Sequence, residues 1–356
     1  MSTRGYLENL LELAEKEDAT DLHICIGSKP VVRANGKLKE IESADKVTLA
    51  DIDFILKTRL NDSKRKKLEE QRVLDFSLSI AGRGRIRASI YSQRGTFAIA
   101  IRIIPFEIPD FSDLGLPPPV INFTAKTRGL FLVTGVTGSG KSTTLASLLK
   151  IINEKYQYHV ITIEDPIEYL HNHEKSLVTQ REIGEDALSF ADALRSALRE
   201  DPDVIMVGEM RDPETIAIAL TAAETGHLVL STLHTVGAAK AVDRIIDAFP
   251  PAQQNQIKSQ LATVLEGIVS QQLIPRDDKP GLVLASEVMF TTPAIRNLIR
   301  EGKHYQIASV IQTGQNLGMQ LLEADLSRLK KEGKISEDTA RLYAQDQQLL
   351  EQFLRR

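Results

Sequence analysis

Cysteine occurs once in 356 residues, at Cys25, which excludes an intramolecular disulfide framework and any multi-cysteine zinc or iron–sulfur centre. A lone thiol also favours a reducing compartment. No stretch of the chain approaches the roughly 18 consecutive apolar residues needed to span a bilayer. Leu7, Leu10, Leu11 and Ala14 fall at helical spacing, but Glu8, Glu12 and Glu15 interrupt them, where a secretory signal requires an unbroken apolar core. Charge of one sign is lacking too: 44 basic against 48 acidic side chains leave −4, which argues against a wholesale nucleic-acid binder. There is no internal repeat and no low-complexity tract. These absences predict a cytoplasmic chain without a transmembrane segment, peripheral to any membrane and held there by a partner.

What is present is an ordinary globular composition, 42% hydrophobic and 26% charged, ample for a buried core. The length suggests two domains of about 150 residues, or one with a sizeable appendage. The best boundary is the cluster Pro105, Pro109, Gly115, Pro117, Pro118 and Pro119, where fixed φ angles and missing donors suit neither a helix nor a central strand. The expected division is an N-terminal domain over 1–108, a Pro-rich linker over 109–121, an α/β core over 122–290 and a helical region over 291–356.

In the first part, Leu22, Ile24 and Ile26 alternate with His23 and Cys25, as along a half-buried strand, and Asn35-Gly36 marks a hairpin turn. Thr48 can cap a helix that turns Ile52, Ile55, Leu56 and Leu60 inward. Strand-like runs follow at 74–80, 85–92 and 97–104. From Gly129 onwards, apolar strands at 130–134, 160–163, 204–207 and 228–233 alternate with helical stripes such as Leu145, Leu148, Leu149 and Ile152. That alternation predicts a mainly parallel sheet covered by helices.

The strongest local signal is Gly135-Val136-Thr137-Gly138-Ser139-Gly140-Lys141-Ser142, followed by Thr143. It fits G-x-x-x-x-G-K-[ST], directly after a strand and opening a helix, the context this phosphate-binding loop requires. Glycines let the backbone curl until its N–H groups face phosphate oxygens, and the helix N-terminus adds a favourable dipole. Lys141 would reach the β- and γ-phosphates, and the Ser142 hydroxyl would ligate Mg²⁺. Kinases, GTPases and motor ATPases share such a loop, so the downstream acids must discriminate. Val204–Val207 runs into Gly208-Glu209, whose carboxylate could hold Mg²⁺ or its water; Ile163 runs into Glu164-Asp165-Pro166-Ile167-Glu168, where an acid could deprotonate attacking water. Solvated acids in loops after strands are the alternative. His227 and His234 begin and end the run 228–233. His234 lies nearer the crevice where parallel sheets bind ligands, although a histidine capping a strand accounts for the spacing equally well. His171-Asn172-His173 has ligand-like spacing with no third ligand nearby.

Together these motifs resemble the type II/IV secretion ATPase superfamily. Residues 198–212, LREDPDVIMVGEMRD, fit its Walker B signature, 163–168 look like its Asp box and 226–235 like its His box. Ala294-Ile295-Arg296-Asn297-Leu298-Ile299-Arg300-Glu301 matches the AIRNLIRE motif of the type IV pilus retraction ATPases, the PilT family. In this helix Ala294, Ile295, Leu298 and Ile299 share one face.

The resemblance implies a small PAS-like N-terminal α/β domain, a RecA-like P-loop NTPase core and a helical C-terminal tail. It implies ATP and Mg²⁺ as cofactors, Glu164 as general base, Glu209 serving Mg²⁺, and catalytic His227 and His234. It further implies a homohexamer that pulls on an inner-membrane pilus platform protein, with a paralogous retraction ATPase as a further partner. Assembly ATPases of this superfamily commonly carry a four-cysteine zinc element, which one cysteine cannot supply. A secretion or assembly ATPase, or a non-hydrolysing regulator of another motor, are the competing readings. From Arg83 to Arg102 there are five arginines and no acid. Without aromatic–basic interleaving beyond Tyr91 and Phe97, nucleic-acid binding is not expected. The resemblance sets Arg87, Arg94 and Arg102 against a nucleotide in the same or a neighbouring subunit, the alternative being a solvated face.

Overall fold

Alternating apolar residues in the first hundred positions become strands of one antiparallel sheet. The structure, a computed structural model, describes residues 5–34, 36–80, 84–104 and 107–355; of the residues singled out above, Asn35, Arg83 and Pro105 lie outside this set. Two compact units divide at Glu107/Ile108, with Glu168–Leu170 grouped with the first.

In the first unit, α1 (Tyr6–Lys16) turns Leu7, Leu10, Leu11 and Ala14 into the core, the i, i+3, i+4, i+7 stripe of an amphipathic helix. It leads into β1 (Ala19–Ile24), β2 (Val31–Ala34) and β3 (Lys37–Glu40). Thr48 caps α2 (Leu49–Arg59) through a reciprocal box with Asp51. After the polar helix α3 (Asp62–Gln71) comes a meander of β4 (Val73–Ile80), β5 (Gly84–Gln93) and β6 (Thr96–Ile103). The sheet order is β3-β2-β1-β6-β5-β4, with Leu22, Ile24, Val32, Ile90 and Ile99 buried on one face.

The second unit begins within the Pro-rich segment. That segment forms two 3-10 turns, Phe111–Leu114 and Pro118–Ala125, because Leu116 before the proline run and Val120 and Phe123 after it find apolar partners. Phe123 stacks between Phe131 and Phe290, with centroids 4.1 and 4.9 Å away. The alternating core then runs β7 (Gly129–Thr134), α4 (Lys141–Lys155), β8 (His159–Glu164), β9 (Leu177–Glu182), α5 (Phe190–Ala197), β10 (Val204–Val207), α6 (Pro213–Glu224), β11 (Leu228–Leu233) and α7 (Ala238–Asp247). Next come α8 (Pro251–Val264), β12 (Leu265–Pro275) and β13 (Leu282–Phe290).

The sheet order is β13-β12-β7-β11-β10-β8-β9; β12 pairs antiparallel with β13, and the remaining neighbours are parallel. Leu130 and Leu132 belong to the cluster on one face, Phe131 and Val133 to that on the other. Burial of both faces is why parallel strands read as unbroken apolar runs. Parallel strands pointing the same way place all their C-terminal ends on one edge, which locates the site.

The tail is helical: α9 (Pro293–Glu301), α10 (Ile307–Thr313), α11 (Leu322–Lys331), α12 (Glu337–Tyr343) and α13 (Gln347–Leu354). In α9, Ile295 and Ile299 are buried and Leu298 is half-buried, but Ala294, the second helical residue after Pro293, lies at the margin of the apolar stripe and is exposed. Arg296 does not stand with Arg300 in solvent. It donates to the Ala262 and Thr263 carbonyls and pairs with Glu266, so it caps the C-terminal end of α8. No helix among the described residues is long and apolar enough to cross a membrane.

Glu287 of β13 accepts the N–H of Ala238 at the first turn of α7 (2.6 Å). Burial, reinforced by Glu323 and opposed by that N–H and Lys240, pushes its carboxyl up to about 7. A raised carboxyl pKa contributes stability at low pH that is lost as pH rises from the unfolded value towards 7. Glu287→Gln keeps the acceptor without the charge. It is expected to stabilise the chain by about 1–3 kcal/mol above pH 7, with the advantage shrinking towards pH 5. Thermal melts of both proteins across pH 5–8 check this, and a constant offset would contradict it.

Candidate functional site

Three positive-φ glycines shape the loop after β7: Gly135 (145°), Gly138 (80°) and Gly140 (86°). At Gly135 a Cβ would lie 2.4 Å from both the Gln271 carbonyl and Ser139 Oγ, so only glycine lets the loop close onto β12. At Gly138 nothing lies within 4 Å of that position, leaving the loop's outer side open to a ligand. Lys141, the first residue of α4, is 8% exposed, and its Nζ donates to the carbonyls of Gly135 and Val136, both at 2.9 Å. The side chain is thus folded across the loop it must serve. Thr134 Oγ1, Ser139 Oγ and Thr235 Oγ1 are buried polar atoms without a partner among the described residues, as befits a site built around a polar group rather than packed apolar turns. These features fit phosphate.

The other strand ends gather beside it. Gly208 N–H donates to the Ile163 carbonyl (2.8 Å) and Thr232 Oγ1 to the Gly208 carbonyl (2.6 Å), which locks the ends of β8, β10 and β11 together. Glu164 is 8% exposed. Its Oε1 accepts from Thr162 Oγ1 (2.7 Å) and Gln180 Nε2 (3.2 Å), so the carboxylate is held in one orientation. Glu164 ends the third strand from β7, and at a strand spacing of about 4.8 Å this sets it roughly 14 Å across the edge. That separation leaves room for a phosphate chain and a water. Glu209 receives the Arg211 guanidinium at Oε1 (2.6 Å) and His234 Nε2 at Oε2 (3.2 Å). Structure therefore joins two residues that sequence placed on different strands.

Ser142 is half-buried one residue after Lys141. With Glu209 it offers hard oxygen donors, and no group of three or more His, Cys, Asp or Glu among the described residues could hold a metal by itself. Such a donor set suits a cation that keeps water and phosphate as its remaining ligands, as Mg²⁺ does.

Other candidates fall elsewhere. His227 precedes β11 and donates from Nδ1 to the Ala222 carbonyl (2.9 Å). Six residues of extended strand put it about 20 Å from His234, on the edge opposite the loop, so this chain does not bring it to the phosphate site. His171 and His173 serve β9 instead: Val178 N–H donates to His173 Nδ1 (3.1 Å), and burial pushes His171 down to about 4. Arg87 and Arg102 face each other across β5 and β6, and Arg102 Nε pairs with Asp21 (3.0 Å). Arg94, with φ 48°, sits in the β5–β6 turn, about 20 Å along the strand from Arg87. The three arginines form two separate groups.

Sequence reasoning missed Thr162, Gln180, Arg211 and Gln271. Thr162 was within reach, because it stands two residues before Glu164 on the same strand face. Gln180 was not, since β9 lacks a continuous apolar run and its pairing opposite Thr162 is long-range.

Comparison with known proteins agrees with this architecture. Residues 3–330 match the family model "Type II/IV secretion system protein". The type IV pilus retraction ATPase PilT of Pseudomonas aeruginosa is 45% identical over 335 residues, 94% of this chain and 97% of its own. A crystal structure of the pilus retraction motor PilT with bound ADP superposes with a TM-score of 0.91 at 46% identity, covering 98% of this chain and 99% of that one. The type IV pilus assembly ATPase PilB of Thermus thermophilus is 34% identical over 77% of this chain, which spans only 31% of its length. The chain belongs to the type II/IV secretion system family, in the branch of the PilT retraction ATPases, and is an ATP hydrolase.

Proposed function

We propose that this hydrolase is the cytoplasmic motor that retracts type IV pili, working as a homohexamer on an inner-membrane platform protein. The observation that carries the reading is the degree of likeness along the chain: a retraction ATPase is 45% identical over 94% of it, an assembly ATPase 34% identical over 77%.

ATP bound with Mg²⁺ would seat its phosphates on Gly135–Thr143, the metal being held by Ser142 and by Glu209 directly or through water. The bound metal would neutralise charge between the phosphates. Lys141 would turn from the Gly135 and Val136 carbonyls towards the terminal phosphate. Glu164, its Oε1 held by Thr162 and Gln180, would orient a water and take its proton. His234 would report the state of the site through Glu209, which must trade Arg211 or His234 for the metal or its water. Arg87 and Arg102 as one group, and Arg94 as another, would meet phosphate in a neighbouring subunit, as charge-neutralising groups do in related transfers. A paralogous retraction ATPase would share the platform.

Deleting the gene tests direction. Retraction predicts over-piliated cells that no longer twitch, rescued by the wild-type chain and not by Lys141→Ala. Bald cells would overturn the proposal in favour of assembly, and unaltered pili with a secretion defect would favour export.

A further inference from the structure

Ser270 and Gln271 are consecutive residues of β12, and alternation along a strand sends their side chains to opposite faces of the sheet. Ser270 Oγ accepts the N–H of Gly237 (2.8 Å), three residues beyond His234 and just before α7. Gln271, 1% exposed, donates from Nε2 to Thr144 Oγ1 (2.8 Å), across 127 residues of sequence. Thr144, also 1% exposed, stands three residues beyond Lys141 in the first turn of α4. The Gln271 carbonyl is one of the two atoms that oblige position 135 to be glycine. Gln271 Oε1 has no partner among the described residues. A buried amide with an unpaired acceptor is a poor choice for filling a core, where Leu or Met of similar volume would pack without loss. Its retained feature is the single bond to α4.

We propose that Gln271 is a positioning residue for ATP hydrolysis. Through Thr144 it fixes the first turn of α4, and with it Lys141 and Ser142, to the strand from which Ser270 holds the segment behind His234. One strand thereby registers the phosphate-gripping half of the site against the half that carries His234 and, through it, Glu209. Misplacement of reacting groups by about 1 Å costs up to roughly 100-fold in rate, so a side chain that touches no substrate can still govern turnover. This inference rests on ATP hydrolysis and not on where the motor works.

Steady-state ATP hydrolysis and thermal melts of the full chain test it, using Gln271→Leu, Thr144→Val, both together, and Thr144→Ser. Each of the first two is expected to lower kcat by about 10-fold or more, with KM for ATP changed by less than about 2-fold. The double variant should be no slower than the worse single one, because both remove the same contact. Thr144→Ser, which keeps the hydroxyl acceptor, should recover most of what Thr144→Val loses. The proposal is overturned if Thr144→Val retains kcat within about 2-fold, if the two losses multiply, or if kcat falls only in step with loss of folded protein. Should Gln271→Leu fail to fold, Thr144→Val against Thr144→Ser decides alone, since Val matches Thr in shape. No turnover in the wild-type chain would overturn the hydrolase assignment and this proposal with it, whereas normal wild-type turnover with indifferent variants overturns only this proposal.

Discussion

Lys141→Ala is expected to abolish measurable ATP turnover, a loss on the order of 10³-fold, by removing the one cation that the loop presents at the start of α4. Two effects combine. Lys141 Nζ bonds the Gly135 and Val136 carbonyls, so the loop loses an internal brace. It also loses the charge that would neutralise the terminal phosphates. Phosphoryl transfer offers the protein little covalent work, and positioning with charge stabilisation supplies most of the rate. Phosphate release by the purified variant, beside a thermal melt, checks the outcome. Turnover within a few-fold of wild type, in a folded variant, would show that the loop does not act on a nucleoside triphosphate as described.

Glu164→Gln should lower kcat by about 10²–10⁴-fold while sparing nucleotide affinity. Gln has nearly the same shape, and its Oε1 can still accept from Thr162 Oγ1 and Gln180 Nε2, the partners at 2.7 and 3.2 Å in the native chain. What it cannot do is take a proton from water. Binding of a fluorescent ATP analogue measured beside turnover separates the two properties. Loss of binding would assign Glu164 to holding the nucleotide, and retained turnover would assign the base to another acid.

How legible each part was depends on how local its cause is. The phosphate loop could be read directly because strand, turn and helix are contiguous from Gly129 to Lys155, and each glycine has a local conformational reason. Glu164, Glu209 and His234 could be placed at strand ends because β8, β10 and β11 are buried on both faces and read as unbroken apolar runs. Opaque elements were those whose pattern is set by partners elsewhere. In β9 three of the six residues are half-buried and one is exposed, so no periodicity announces it, and Gln180 was lost with it. The prolines around 109–119 argued for a linker, because their backbone constraint is visible in sequence while the stacking of Phe123 between Phe131 and Phe290 is not. Helical spacing sets Arg296 off the face that Ala294, Ile295, Leu298 and Ile299 share, and it became a cap because α8 ends beneath it.

Sequence alone determined that this chain has a phosphate loop of fixed chemistry, a parallel sheet to carry it, and a single cysteine that excludes a multi-cysteine metal centre. Those properties rest on residue identity and on spacing within one element. Tertiary structure alone decided that His234 meets Glu209, that Arg87 faces Arg102 across two strands, and that Gln271 reaches Thr144. Each depends on strand order and register, which bring together residues that are distant in the chain. A period of two or 3.6 fixes a side chain's face, but not the neighbour that the face will meet.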